Sequence, residues 1–290
     1  KPRKIAVVGA GPAGLSAATV AAERGHAVTL FEASGQVGGQ FKVAMQIPGK
    51  EEFTETVRYF ARKLETTGVD VQLNRRVTRE DLLAAGFDDV IVATGVRMRM
   101  PAIPGIDHPM VLSYLQVLRD KAPVGKRVAI IGAGGIGFDT GEFLLHDPSH
   151  PLPQPVSTWT GEWGVDLDAT VEGGLVKPAP ARPYRQWCLL QRKSTRPGAG
   201  LGKTSGWVHR AALVRGGVSM LAGVQYDRID DAGLHITIKG EQRLLEVDNV
   251  VICAGQESLD ELTAGEVSPT TSFHKIGGAV LAAELDAKRA

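Results

Sequence analysis

Cysteine is scarce: the chain has two in 290 residues, Cys188 and Cys253. Two thiols cannot build a disulfide framework or a four-thiolate metal site. They do not form a C-x-x-C pair, which excludes dithiol chemistry of the thioredoxin-reductase type. Both sit in apolar runs 65 residues apart, which predicts buried structural thiols in a reducing, cytoplasmic setting. An excess of one charge is also missing. Lys+Arg 33 against Asp+Glu 32 leaves +1, so no global field recruits nucleic acid or an anionic membrane. No run reaches the ~18 uninterrupted apolar residues of a spanning helix. Lys1, Arg3 and Lys4 before the apolar stretch 5–22 have the outline of a secretory signal, but Gly9, Gly11, Pro12 and Gly14 interrupt it at a spacing with another explanation. Glycine is what the chain has in excess: 35 of 290, about 12% against a typical ~7%. At many points, therefore, backbone is expected to pass close to something. An apolar content of 43% supports real cores, and at ~150 residues per domain the length predicts about two.

Periodicity predicts a strand at 4–8, a helix at 13–24 and a strand at 27–31. Residues 51–66 are amphipathic, with Phe53, Val57, Phe60 and Leu64 at helical spacing, and 89–93 is an apolar strand ending at Thr94-Gly95. Pro101, Pro104 and Pro109 make 98–109 an extended linker. A helix at 114–121, a strand at 127–131 and a helix at 137–145 restart the pattern. Residues 147–183, rich in Pro, Gly and acids, are too long for an ordinary connection and read as an inserted excursion. A strand at 186–190 follows, then several short strands across 218–251. The run 250–254 before Gly255 echoes 90–95, so the unit strand, glycine turn, helix, strand occurs twice. The fold class expected is α/β, with two Rossmann-like dinucleotide-binding domains, one inserted in the other. The first is discontinuous, 1–104 plus 250–290, and the second is 105–249. The chain begins without Met and stops at Lys288-Arg289-Ala290 inside what reads as a helix, so it is expected to be part of something longer.

Gly9-Ala10-Gly11-Pro12-Ala13-Gly14 and Gly132-Ala133-Gly134-Gly135-Ile136-Gly137 both match G-x-G-x-x-G, and each joins an apolar strand to a helix. The first glycine makes the tight turn, the second lets backbone approach a pyrophosphate, and the third lets helix and strand pack. The helix N-terminus supplies N–H groups and a positive dipole end. The end of the next strand selects the nucleotide. In the first unit that residue is Glu32, 18 beyond Gly14, a carboxylate suited to ribose hydroxyls and repellent to a 2′-phosphate, which points to FAD. In the second unit Gln191 is followed by Arg192 and Lys193, with Arg196 close behind. Cations there favour a 2′-phosphate, which points to NADPH. Residues 197–204 imitate a Walker A loop, but Pro197 stands where its first glycine is required; Lys203 reads as a further cation near the NADPH phosphate or as surface. His209 is given no catalytic role, and the acids between Glu162 and Asp168 read as solvated loop, because no His accompanies them. No metal site and no catalytic residue are expected.

Two nested dinucleotide units resemble the pyridine nucleotide-disulfide reductase-like flavoproteins. The runs VGAGPAGL, FEASGQVGGQF, QIPGKEEF, VGKRVAIIGAGGIGFD, LQRK, GLGKTSGW, VDNVVICAGQE and AAELDAKRA resemble more specifically the bacterial NADPH-dependent 2,4-dienoyl-CoA reductases. The likeness covers nearly the whole chain, is weakest across 147–183, and corresponds to the C-terminal portion of those enzymes only. Their N-terminal (β/α)8 barrel with FMN and a 4Fe-4S centre needs ~250 residues more. That part is the partner implied in cis. The resemblance implies FAD contacts at Gly9, Gly11, Pro12, Ala13, Gly14, Glu32, Gly39, Gln40, Lys50, Val77, Ala93, Thr94 and Gly95. It implies NADPH contacts at Gly132, Gly134, Gly135, Ile136, Gly137, Arg192, Lys193, Ala254 and Gly255. It also implies hydride transfer from NADPH to FAD, feeding reduction of an unsaturated fatty acyl-CoA in β-oxidation. One departure stands out. The family has Gly-Gly-x-Asp before AAELDA, its Asp bonding the flavin's ribityl region, whereas this chain has Gly277-Gly278-Ala279-Val280. That loss favours the alternative of a non-catalytic ADP-binding scaffold, as in trimethylamine dehydrogenase-like flavoproteins.

Overall fold

The computed structural model describes residues 1–180, 183–263 and 268–283; the helix expected at the C-terminal end falls mostly on 284–290, outside the described residues. β1 (Lys4–Val8) carries four successive buried residues, the pattern of a strand covered on both faces. It feeds α1 (Pro12–Glu23), whose Pro12 occupies the first turn, where a missing N–H costs nothing. Leu15, Ala18 and Ala21 of α1 are buried in one cluster with Ile5 and Val7 of β1. Next come β2 (Ala27–Phe31), the single turn α2 (Phe41–Ala44), α3 (Phe53–Thr67), β3 (Asp70–Gln72), α4 (Arg79–Ala84), β4 (Asp89–Val92) and β5 (Val96–Met98). The amphipathic pattern of α3 ends at Gly68, in the left-handed region at φ 72°.

The chain then builds a second unit from β6 (Val111–Ser113), α5 (Tyr114–Leu118), β7 (Arg127–Ile131), α6 (Gly135–Leu145), α7 (Val156–Trp163), β8 (Gln186–Leu190), α8 (Gly206–Arg215), β9 (Ser219–Leu221), β10 (Val224–Asp230), β11 (Gly233–Ile238), β12 (Glu241–Leu245) and β13 (Asn249–Ile252). It returns to the first with β14 (Gln256–Ser258) and β15 (Ser272–Lys275). The first unit holds the parallel sheet β15-β4-β1-β2-β3 and the antiparallel pair β14-β5. The second holds the parallel sheet β6-β13-β7-β8-β9 and the antiparallel sheet β10-β11-β12. Ile131, Leu190 and Ile252 of its parallel strands share one buried core with Ile229, Leu234 and Ile236 of the antiparallel sheet.

By contacts the units comprise residues 1–45, 52–99 and those from 256 on, against 46–51 with 100–255. The sequence reading divides the chain after 104 and after 249. In the structure β13 is hydrogen-bonded to both β6 and β7, which ties residues 249–252 to the second sheet. The 147–183 excursion is not wholly irregular: α7 forms inside it, with Trp159 and Trp163 in ring contact at 6.2 Å, and Val165 bridges to Leu175. Flanking prolines and glycines hid that helix from a periodicity argument. No helix among the described residues is long and apolar enough to cross a membrane.

Candidate dinucleotide sites

In the first unit Gly9 has φ 105°, and a Cβ there would strike the Ala93 carbonyl; a Cβ on Gly14 would strike the Gly9 carbonyl. The Gly9 N–H donates to the Phe31 carbonyl and the Ala93 N–H to the Val8 carbonyl, both at 2.8 Å, so the turn is fixed to the sheet on both sides. The Gly38 N–H donates to the Ala10 carbonyl at 2.8 Å, and a Cβ on Gly39 would lie 2.7 Å from the Gly11 Cα. Backbone therefore meets backbone here with no room for a side chain. Glu32 accepts from the Ala10 N–H at 2.9 Å through Oε2 and from the Ser34 N–H at 2.8 Å through Oε1. Each oxygen keeps a lone pair, which is what two adjacent ribose hydroxyls require. A cavity of ≈ 130 Å³ opens beside it, lined among others by Gly9, Glu32, Val77, Thr94, Leu259 and Leu262.

This unit thus gathers Gly9, Gly11, Pro12, Ala13, Gly14, Glu32, Gly39, Val77, Ala93 and Thr94 around the turn and the cavity. Gln40 opens α2, and Gly95 follows at φ 76°. The Thr94 hydroxyl donates to the Leu259 carbonyl at 2.5 Å. A Cβ on Gly277 would stand 2.7 Å from the Ala13 Cβ, which seats the 277–279 turn at the start of α1. Val280 is 58% exposed, and its hydrocarbon side chain offers no acceptor. Lys50 belongs to the second unit, where its ammonium donates to the Asp139 carboxylate at 2.6 Å.

The second turn repeats the first. Gly132 has φ 118°, a Cβ on it would strike the Cys253 carbonyl, and one on Gly137 would strike the Gly132 carbonyl. The Gly132 N–H donates to Leu190 and the Cys253 N–H to Ile131, both at 2.8 Å. Apart from Gly134 itself and its two chain neighbours, no heavy atom lies within 4 Å of where a Gly134 Cβ would stand. That open notch beside the first turn of α6, which Gly135 and Ile136 begin, suits a diphosphate. Ala254 and Gly255 follow β13, and exposed Arg192 and Lys193 follow β8 by way of Gln191. Lys203 is exposed too, and α8 starts only at Gly206, so the Walker-like segment does not run into a helix as a phosphate loop must.

Sequence reasoning missed a charged cluster. His209 Nδ1 lies 2.7 Å from Glu142 Oε1, and ligand-type atoms of Asp139, Glu142 and His209 lie within 4.8 Å of one another. The Lys50 ammonium on Asp139 already supplies a cation there. Asp139 and Glu142, three apart on α6, were the readable signal; their meeting with Lys50 and His209 depends on tertiary structure. The hydrogen bond that His209 donates to the Glu142 carboxylate raises the His209 pKa against a smaller opposing effect of burial. Burial alone pushes the Cys188 thiol up to about 11, and burial first of all pushes Cys253 up to about 12.

Two parallel-sheet units, each with a glycine turn at the carboxyl end of its central strand, define a dinucleotide-binding α/β protein. A family model, pyridine nucleotide-disulphide oxidoreductase, matches residues 3–272, and the chain belongs to that family. It is a FAD- and NAD(P)-dependent oxidoreductase module, and the family implies FAD and a pyridine nucleotide. Among relatives, a metal reductase of Desulforamulus reducens is 29% identical over 90% of this chain and 39% of its own length. A cinnamate reductase of Clostridium sporogenes is 37% identical over 49% of this chain and 21% of its own. The solved 2-naphthoyl-CoA reductase complex superimposes at TM-score 0.78, with 25% identity, over 98% of this chain and 38% of that one. The chain therefore spans less than half the length of these relatives.

Proposed function

We propose that the chain is the electron-input module of a reductase of the 2,4-dienoyl-CoA reductase type, with FAD in the first unit and NADPH in the second. The observation that carries this is the contrast in charge just beyond the strand that follows each glycine-turn helix: the Glu32 carboxylate after β2, Arg192 and Lys193 after β8 and Gln191. The residues present fit both groups. Glu32 keeps two free lone-pair directions beside a cavity, and the Gly134 notch is open. A flavin and a nicotinamide bound there would supply two-electron, hydride-level redox chemistry. The protein's part is positioning. The turn amides and the N-termini of α1 and α6 hold diphosphates, Glu32 orients a ribose, and Arg192 and Lys193 pair with a 2′-phosphate. The cinnamate and 2-naphthoyl-CoA reductases among the relatives support an unsaturated acyl compound as the final acceptor in the longer enzyme. Val280 favours the ADP-scaffold alternative, and a visible spectrum separates the two, since only flavin makes the protein yellow. The test is stopped-flow mixing of the FAD-loaded chain with each nicotinamide. NADPH is expected to bleach the flavin, NADH to do so far more slowly, and Arg192→Ala with Lys193→Ala to erase the difference. Bound FAD that NADPH does not bleach refutes the proposal.

A further inference from the structure

The Walker-like segment has a counterpart in the first unit. There the Ala10 carbonyl accepts from the N–H of Gly38, seven residues beyond the end of β2. In the second unit the Ala133 carbonyl, at the same place in its turn, accepts from the N–H of Gly198 at 3.2 Å, eight residues beyond the end of β8. Gly198 thus lies against the second glycine turn as Gly38 and Gly39 lie against the first. Arg192, Lys193 and Arg196 stand between β8 and that loop.

Two side chains hold this basic segment at its ends. Gln191 occupies the place of Glu32 but works in the opposite sense. Glu32 accepts from N–H groups, whereas the Gln191 carboxamide donates through Nε2 to the carbonyls of Lys193, at 3.1 Å, and of Thr195. The Gly223 N–H adds a second donor to the Lys193 carbonyl at 2.9 Å. At the far end Arg210, on α8, donates through Nη2 to the carbonyls of Pro197 at 3.2 Å and Gly198 at 3.0 Å. Its Nε is buried without a hydrogen-bond partner, a cost that the fold bears while keeping the guanidinium on the loop. A Cβ on Gly198 would sit 2.7 Å from the Phe138 ring, so the loop is pressed onto α6 as well. With four carbonyls of the segment engaged by these donors, the Arg192 and Lys193 side chains remain exposed.

We infer that Gln191 and Arg210 are positioning residues for a 2′-phosphate: they set the shape of the segment 192–198 before any ligand arrives, and so set the preference for a phosphorylated ribose without touching it. This rests on the reading of the second unit as the NADPH site. Two long cationic side chains on a mobile loop would lose much of their binding in ordering costs, and a backbone fixed in advance removes part of that loss.

The test is calorimetric titration with 2′,5′-ADP and with 5′-AMP, compared among the parent chain, Gln191→Met, Arg210→Met, Arg210→Lys and the double variant Arg192→Ala/Lys193→Ala. Gln191→Met keeps the length and removes the donor. Each Met variant is expected to bind 2′,5′-ADP roughly tenfold more weakly with 5′-AMP unchanged. Arg210→Lys, which keeps a charge and a donor, is expected to recover part of the loss. Should Arg210→Met fail to fold, Gln191→Met and Arg210→Lys carry the comparison. If Gln191→Met, and Arg210→Met where it folds, bind 2′,5′-ADP as the parent does while the double variant loses it, the inference is overturned and the NADPH reading stands. If the parent shows no preference for 2′,5′-ADP, or the double variant keeps it, that reading fails and the inference with it.

Discussion

Cys253 donates its thiol hydrogen toward the Thr140 hydroxyl at 3.5 Å, and Cys188 lies in β8 beside the core. A thiol reacts as its thiolate, and burial in apolar surroundings disfavours that charge. With values pushed up to about 12 and about 11, almost no thiolate exists at neutral pH. Native protein is therefore expected to take up alkylating reagent at neither thiol on a timescale over which guanidinium-unfolded protein labels both. Mass spectrometry counts the adducts, and rapid native labelling of Cys253 would show that it is not sealed as described. Glu32 was legible at this scale because its type and its place after a strand coincide. Gln191 was not, because a neutral amide at a strand end carries no signal until its two carbonyl partners are seen.

At the scale of the element, α6 separates what a glycine does for the fold from what it does for a ligand. Gly137 packs helix onto strand: a Cβ there would strike the Gly132 carbonyl and lie 3.4 Å from Leu189. Gly134 has φ −93°, ordinary for any residue, and open space around its missing Cβ. Gly137→Ala is expected to cost about 1–3 kcal/mol of stability through overpacking. Gly134→Ala is expected to leave stability within ~0.5 kcal/mol yet weaken 2′,5′-ADP binding. Denaturant titration with ligand calorimetry checks both, and equal loss of stability in the two variants would contradict the division of roles. The same helix meets α8 through Glu142 and His209, with side chains 13% and 25% exposed. Around this imidazole stand Glu142, Asp139 and Lys50, the two acids raising its pKa and Lys50 lowering it. A raised folded value means that the stabilisation is fully present below the ordinary 6.5 and is lost as pH rises through the higher folded value. The parent should accordingly exceed Glu142→Gln in unfolding free energy, read by denaturant titration at several pH values, by about 1 kcal/mol more on the acid side of that window than on the alkaline side. A gap independent of pH would mean that His209 does not charge in the fold.

At the scale of the molecule, one architectural idea is used twice, and that is why so much was legible. The spacing G-x-G-x-x-G, the apolar strands before it and the echo of 90–95 in 250–254 all report local backbone requirements, and local requirements leave a trace in sequence. What stayed hidden is made between distant segments: the allegiance of 46–51, the cluster of Lys50 with Asp139 and His209, and the seating of Gly198 on Ala133. The duplication also sets a prediction for the whole chain. If opposite charges at the two strand ends sort the ligands, FAD and 2′,5′-ADP must protect separate sets of amides from hydrogen exchange. FAD is expected to slow exchange at 9–14, 32–39 and 75–77, where Glu32 and Val77 line the first cavity. 2′,5′-ADP is expected to slow exchange at 132–137 and 191–198, since Glu32 would repel its 2′-phosphate from the first unit. Adding both should give the sum of the two patterns. Protection of 9–14 by 2′,5′-ADP, or of 132–137 by FAD, would mean that the two turns are interchangeable cradles and that Glu32 and Arg192 do not decide which nucleotide each unit takes.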